Sequence, residues 1–246
     1  MSDWWLTFYD DTFAEFIFEQ NPQTENDVEK LINLLDLKEG DRILDQCCGI
    51  GRLSVPLANK GFDVIGIDVI TSYIERAQSL KSNAQFLVKD ALKYIATPKC
   101  NAAFNWHTSF GYCLEDERNK AMLQCAFNSL KGGGKFVLDY PNMAKVIREF
   151  KPYMKQFVKT DSNSCTIERT SELDLSNGAL KQEWVFSFEN KSPIKRSGIT
   201  RLYLPYQIEA MLTNVGFTNT RLFGDANKTE LELDSDRCIA LAQRPI

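Results

Sequence analysis

Asp45 to Arg52, in the stretch Leu-Asp-Gln-Cys-Cys-Gly-Ile-Gly-Arg, combine a carboxylate, two adjacent thiols, two glycines one residue apart and a guanidinium. Glycines at that spacing let a main chain approach a ligand closely, and the helical stretch 52–61 that follows offers its first N–H groups to it. Asp68, in Gly-Ile-Asp-Val-Ile, comes 17 residues after Gly51, where a carboxylate can accept hydrogen bonds from both hydroxyls of a ribose. Asp90, in Val-Lys-Asp-Ala, is a third acid of the same kind. A dinucleotide-binding fingerprint shares the first two features, but Gly49-Ile50-Gly51-Arg52-Leu53-Ser54 lacks its third glycine. An edge with three acids suits a sulfonium and an ammonium better than a phosphate.

These residues need a scaffold that brings strand ends together. Val28, Leu31, Ile32 and Leu35 repeat at helical spacing behind Thr24, and Gly40 closes that unit. Short apolar runs follow at 42–46, 63–69, 84–90, 101–107 and 135–140, separated by stretches long enough for crossover helices. This order predicts an α/β fold with a mostly parallel sheet covered on both faces. Beyond Tyr140 the period becomes two, at 165–175, 179–189 and 197–204, with a turn signal at Ser176-Asn177-Gly178; an antiparallel meander is expected over about 155–204. A helix at 205–217 and strands at 218–225 and 237–244 close the chain, giving a seven-stranded sheet in a single domain with an inserted meander.

Composition narrows the function. The 246 residues carry a net charge of −4 without a basic cluster, so nucleic acid is not the expected partner. No apolar run is long enough to span a bilayer, the first residues do not read as a signal peptide, and no membrane partner is expected. Seven cysteines form no C-x-x-C pair, which suits a reducing, cytoplasmic setting. With His107 the only histidine, no metal site is expected. Cys47 and Cys48 are read as packed rather than reactive thiols, since nearby acids oppose ionisation. Cys47 is expected at negative φ, the usual region for a side chain-bearing residue.

Taken together, the motifs resemble those of class I, Rossmann-like methyltransferases that use S-adenosylmethionine (SAM), and the small-molecule branch in particular. Asp45-Gln46-Cys47-Cys48-Gly49-Ile50-Gly51 is similar to the family's D-x-G-x-G-x-G loop, with Cys47 in place of the first glycine. Asn105-Trp106-His107 falls at its motif after the fourth strand, Lys131 to Phe136 is like its turn into the fifth, and Val215-Gly216-Phe217 precedes its closing strand pair. The likeness covers roughly 28–140 and 204–244. It implies a loop from Asp45 to Arg52 around the methionine part of SAM, Asp68 and Val69 on the ribose, and Asp90 and Ala91 on the adenine. Asn105 and Trp106 would complete the cofactor site, and S-adenosylhomocysteine (SAH) would be the product.

His107 stands where the family places groups beside the methyl, so it is a candidate base for a hydroxyl or ammonium nucleophile. Ser109, Phe110 and Tyr112 are expected to shape the acceptor site, Tyr140 to close one side, and Arg201 with Tyr203, on one strand face, to bind a carboxylate or phenol. Arg169 and Trp184 are further acceptor candidates. Trp4, Trp5, Phe8 and Tyr9 begin a segment, 1–22, that reads either as a lid over SAM, with Tyr9 at the cofactor, or as a satellite aromatic cluster. The acceptor is expected to be a small molecule methylated on N or O, and the meander its source of selectivity or a homodimer interface. The alternatives are an NAD-dependent oxidoreductase and a non-catalytic SAM-binding module.

Overall fold

A computed structural model describes residues 3–19, 24–161 and 163–246; residues 1, 2 and 20–22 of the expected lid lie outside the described residues. The chain opens with α1 (Trp5–Phe8) and α2 (Asp11–Phe13), which runs into a π-helical turn, Ala14–Phe18, and then α3 (Thr24–Leu35). Strands and helices alternate next: β1 (Arg42–Gln46), α4 (Ser54–Asn59), β2 (Asp63–Asp68), α5 (Thr71–Ser79), β3 (Gln85–Val88), β4 (Cys100–Asn105), α6 (Asp116–Ser129) and β5 (Leu130–Pro141). A short helix, α7 (Met143–Arg148), leads to β6 (Tyr153–Lys159), β7 (Ser164–Asp174), β8 (Ala179–Phe188) and β9 (Lys191–Arg201). The chain ends with α8 (Pro205–Val215), β10 (Thr218–Phe223) and β11 (Arg237–Gln243).

Seven strands form one sheet in the order β10-β11-β5-β4-β1-β2-β3, in which only β11 runs against the others. Strands buried on both faces must be apolar at successive positions. Ile43 accordingly packs with α3 and α4 against Val64, Phe104 and Val137, while its neighbour Leu44 packs on the opposite layer with Leu123, Ala126 and Ile208. The strand order reverses between β1 and β4, and ligands of open α/β sheets bind beyond the strand ends at such a point.

The meander is a four-stranded antiparallel sheet, β6-β7-β8-β9. Alternation marks three of its strands; β6 is the addition. Tyr-Met-Lys-Gln-Phe-Val-Lys does not alternate strictly, and as an edge strand it leaves Tyr153 and Phe157 exposed, so it carries no pattern that core contact would impose. Pairing places Cys165, Ile167, Trp184, Phe186 and Ile194 on one face, and the aromatic side chains of 4–18 pack on it: Phe13 lies 5.5 Å from Trp184, and Phe16 lies 5.7 Å from Phe188. Gly198 sits where a Cβ would come within 2.6 Å of the Trp4 ring, so a side chain there would displace the segment.

Candidate active site

The loop after β1 shapes the site. Cys47, Gly49 and Gly51 alternate in the left-handed region, at φ 63°, 56° and 82°. The expected negative φ of Cys47 is therefore wrong. The Cys48 N–H donates to Ile67 O and the Gly49 N–H to Asp68 Oδ2, both at 2.9 Å, so the chain is tied to β2 at successive residues and must reverse at Cys47 to reach them. A side chain in this region costs about 1–2 kcal/mol. Relief of that strain in Cys47→Gly is offset by a freer unfolded chain, so a urea midpoint within about 1 kcal/mol of wild type is expected. Cys47→Val, with its branched Cβ, is expected to lose more than about 2 kcal/mol; a wild-type midpoint for it would show that Cys47 does not hold this conformation in solution.

Both thiols of the loop are pushed well up, by burial first and then by the neighbouring carboxylates, so they remain protonated and pack. Gly51 lies off the cavity: a Cβ there would meet Phe86 at 3.0 Å and Ala77 at 3.1 Å, so its smallness lets α5 and β3 approach. The expected helix after Gly51 starts only at Ser54, because Gly51 to Leu53 form a turn whose Gly51 carbonyl accepts the Val55 N–H at 3.0 Å.

Three acids converge on the cavity, as do Cys47, Gly49, Arg52, Val69 and Ala91. Asp45, 3% exposed, accepts the Ser54 hydroxyl at 2.7 Å, and burial, with Asp68 nearby, pushes its carboxyl up to about 7. Asp68 accepts the N–H groups of Gly49 and Ile70 at 2.9 Å each, and it too is raised by burial. Each of its oxygens keeps a lone pair for a further donor. Asp90 accepts the Leu92 N–H at 2.9 Å and turns the chain after β3.

The N-terminal segment forms one wall. Trp5, Tyr9 and Phe18 line the cavity, and the Tyr9 and Tyr112 hydroxyls share a hydrogen bond across it. Trp4 holds Tyr112 from behind, its indole N–H donating to the Tyr112 carbonyl at 3.0 Å. Tyr73 donates to Asp10 O at 2.8 Å, and Arg196 of β9 pairs with Asp10. Lid and satellite cluster are thus one assembly: the same aromatic segment covers the cavity and packs on the meander.

Trp106, His107 and Ser109 line the cavity, but His107 is not free. Arg52 lies 2.9 Å from its Nδ1 and Asp27 3.2 Å from its Nε2. Since arginine only donates, Nδ1 accepts and Nε2–H points to Asp27, which leaves no lone pair for an acceptor proton. His107 and Thr108 both have positive φ, at 58° and 65°. Asp139 braces them, accepting the His107 N–H at 2.9 Å and Arg237 Nε at 2.6 Å, while Arg237 also donates to Thr108. Asp27, Asp139 and Arg237 carry no motif, and nothing in their spacing announces this brace.

Besides Gly51, five expected site residues do not line the cavity. Asn105 is wholly buried beneath Cys47, its amide 3.5 Å from Met122 Sδ and its Oδ1 without a partner. Tyr140 and Phe110 are fully buried and pack together, the Tyr140 hydroxyl donating to Arg201 O. Tyr203 is 2% exposed, donating to Asp116 at 2.7 Å and accepting from Asn119 at 2.8 Å. Arg201 pairs with the same Asp116 at 3.0 Å. Arg201 and Tyr203 do share a carboxylate, but it belongs to the protein: they bolt the meander to α6.

A methyltransferase-domain family model matches residues 37–191. The chain belongs to the class I SAM-dependent methyltransferases. It is 27% identical over 220 residues to the putative methyltransferase YqeM of Bacillus subtilis, covering 85% of this chain and 86% of that one. The CcbJ methyltransferase of Streptomyces caelestis shares its fold with a TM-score of 0.78 at 16% identity, over 97% of this chain and all of CcbJ. SAM-bound CalS10, an amino pentose methyltransferase from Micromonospora echinaspora, superposes with a TM-score of 0.71 at 13% identity, over 96% of this chain and 98% of CalS10.

The cavity of this methyltransferase fits the cofactor its family uses. Asp45 is a buried acid and Asp68 a half-buried one, with Arg52 as the nearby cation, and a sulfonium and an ammonium supply the positive charge they lack. Among the described residues no group of three or more His, Cys, Asp or Glu is arranged to hold a metal, and no helix is long and apolar enough to cross a membrane.

Proposed function

We propose that the methyltransferase moves the methyl group of SAM to a nitrogen or oxygen of a small acceptor, with nitrogen favoured. The observation that carries the reading is the acid-lined cavity closed by the Tyr9–Tyr112 hydroxyl pair. SAM supplies an electrophilic methyl. The chain supplies position: Asp68 and Val69 hold the ribose, Asp90 and Ala91 the adenine, and Asp45 and the 47–49 loop the methionine part, with Trp106 at the edge. Burial raises the Tyr9 and Tyr112 hydroxyls well above their ordinary range, so they stay protonated and orient the acceptor's nucleophile by hydrogen bonding. His107 is spent on Arg52 and Asp27, which leaves catalysis to alignment and exclusion of water and suits an amine that arrives deprotonated. The amino pentose activity of CalS10 is in keeping with such an acceptor.

Thermal unfolding with SAH, SAM and NAD in parallel tests the cofactor. At about a hundred times its Kd, SAH adds roughly 2.7 kcal/mol, expected to raise Tm by about 5–10 °C. NAD is expected to leave Tm unchanged. A shift with NAD alone would overturn the reading.

A further inference from the structure

The inner face of the meander carries a row of donors that the protein does not satisfy. Pairing sets Arg169 of β7 beside Trp184 of β8, and Trp184 beside Arg196 of β9. Arg169 Nε, Trp184 Nε1 and Arg196 Nε are all buried without a hydrogen-bond partner. Buried donors are nearly always paired, and three orphans in one cross-strand row call for an acceptor. Arg196 has Asp10, but among the described residues no carboxylate lies within ion-pair distance of Arg169. Its guanidinium lies 5.4 Å from the Trp184 ring centre and touches Met154 of β6, so an aromatic ring and a thioether, not a carboxylate, stand against its positive charge. Phe8 and Phe13 of the N-terminal segment cover the other side of Trp184.

A groove of about 440 Å³ begins two residues further along each strand on the same face, lined there by Ser171, Gln182, Gly198 and Trp4. Glu172, Glu183 and Ser197 also border it, but alternation turns them to the opposite face, where Glu172 is paired with Lys181. Trp4 links this groove to the cofactor cavity, because its ring packs 4.9 Å from Tyr112 and its N–H donates to the Tyr112 carbonyl. A molecule with its nucleophile at Tyr9 and Tyr112 would pass Trp4 to reach the meander.

We propose that Arg169, Trp184 and Arg196 form an oxyanion site, for a carboxylate or phosphate carried by the methyl acceptor. Oxyanion binding stands on the donor row alone; its assignment to the acceptor rests on the small-molecule reading above. The ligand's oxygens would take the orphaned N–H groups, and its charge would balance Arg169.

The test is inorganic phosphate titrated at constant ionic strength and followed by Tm and calorimetry, with SAH as a parallel ligand. Wild type is expected to gain stability with phosphate. Arg169→Met and Trp184→Phe, which keeps an aromatic ring but has no N–H donor, are each expected to lose at least tenfold in phosphate affinity while keeping the SAH shift. A flat wild-type response, or variants that bind phosphate as wild type does, would overturn the site; loss of the SAH shift in wild type would instead strike at the cofactor reading. Amine-bearing phosphates of graded length, from phosphoethanolamine to glucosamine 6-phosphate, then separate the sources. Tighter, Arg169-dependent binding of one of them than of phosphate is expected, and equal or weaker binding of all would overturn the assignment to the acceptor.

Discussion

Asp45→Asn is expected to stabilise the ligand-free protein at pH 8 while weakening its hold on SAM. Burial raises the Asp45 carboxyl to about 7, against an ordinary 3.8. An acid raised in the folded state binds more protons there than in the unfolded chain. Between pH 4 and 7, therefore, each rise in pH removes stability, and above pH 7 the full penalty persists. At 1.36 kcal/mol per pH unit the penalty is bounded at about 4 kcal/mol. Asparagine keeps an acceptor for Ser54 and carries no charge, so its advantage over wild type should grow by about 2–3 kcal/mol between pH 5 and pH 8. Urea unfolding at the two pH values reads this difference directly. In calorimetry the same variant should bind SAM more weakly at pH 8, since a cationic ligand rewards the ionised carboxylate. An advantage that does not change with pH would show that Asp45 ionises normally in the fold.

Asp68→Ala is expected to weaken SAH binding by roughly 1.5–3 kcal/mol, ten-fold to more than a hundred-fold in Kd, for lost hydrogen bonds to a charged group. The side chain does two jobs in one place. It accepts the N–H groups of Gly49 and Ile70 and so joins the β1 loop to the end of β2, and its remaining lone pairs face the cavity. Alanine removes both, so a fall in Tm without ligand should accompany the loss of affinity. Asp68→Asn keeps one acceptor and should lie between alanine and wild type in both measurements. An unchanged Kd for SAH in Asp68→Ala would place the ribose elsewhere.

Sequence and structure meet most closely at the strand ends. Asp45, Gly49, Asp68 and Asp90 belong to short motifs whose spacing follows from one strand, one turn and one crossover, so local patterns place them. Side chains whose partners lie far along the chain were not placed this way. Arg201 and Tyr203 read as acceptor ligands because two cationic or polar groups share a strand face; their partner Asp116 lies 85 and 87 residues away. Tyr140 ends a central strand like a site residue, yet the returning meander seals it beneath the Arg201 carbonyl. Cys47 departs from the expected sign of φ for the same reason, because hydrogen bonds to β2 dictate the reversal and override the local preference of a side chain-bearing residue.

The amino-acid sequence by itself determined the layered α/β order, the acid-edged loop and hence the charge of the ligand, because periodicity and motif spacing are properties of neighbouring residues. Tertiary structure alone decided which polar groups remain available. Docking of the N-terminal segment and the meander consumes Arg201, Tyr203 and Tyr140 and closes the cavity with Tyr9, and the contact of Arg52 and Asp27 consumes His107. A hydrogen-bonding group can serve a ligand only if no protein partner has already claimed it, and those claims are made between residues that meet only in the folded chain.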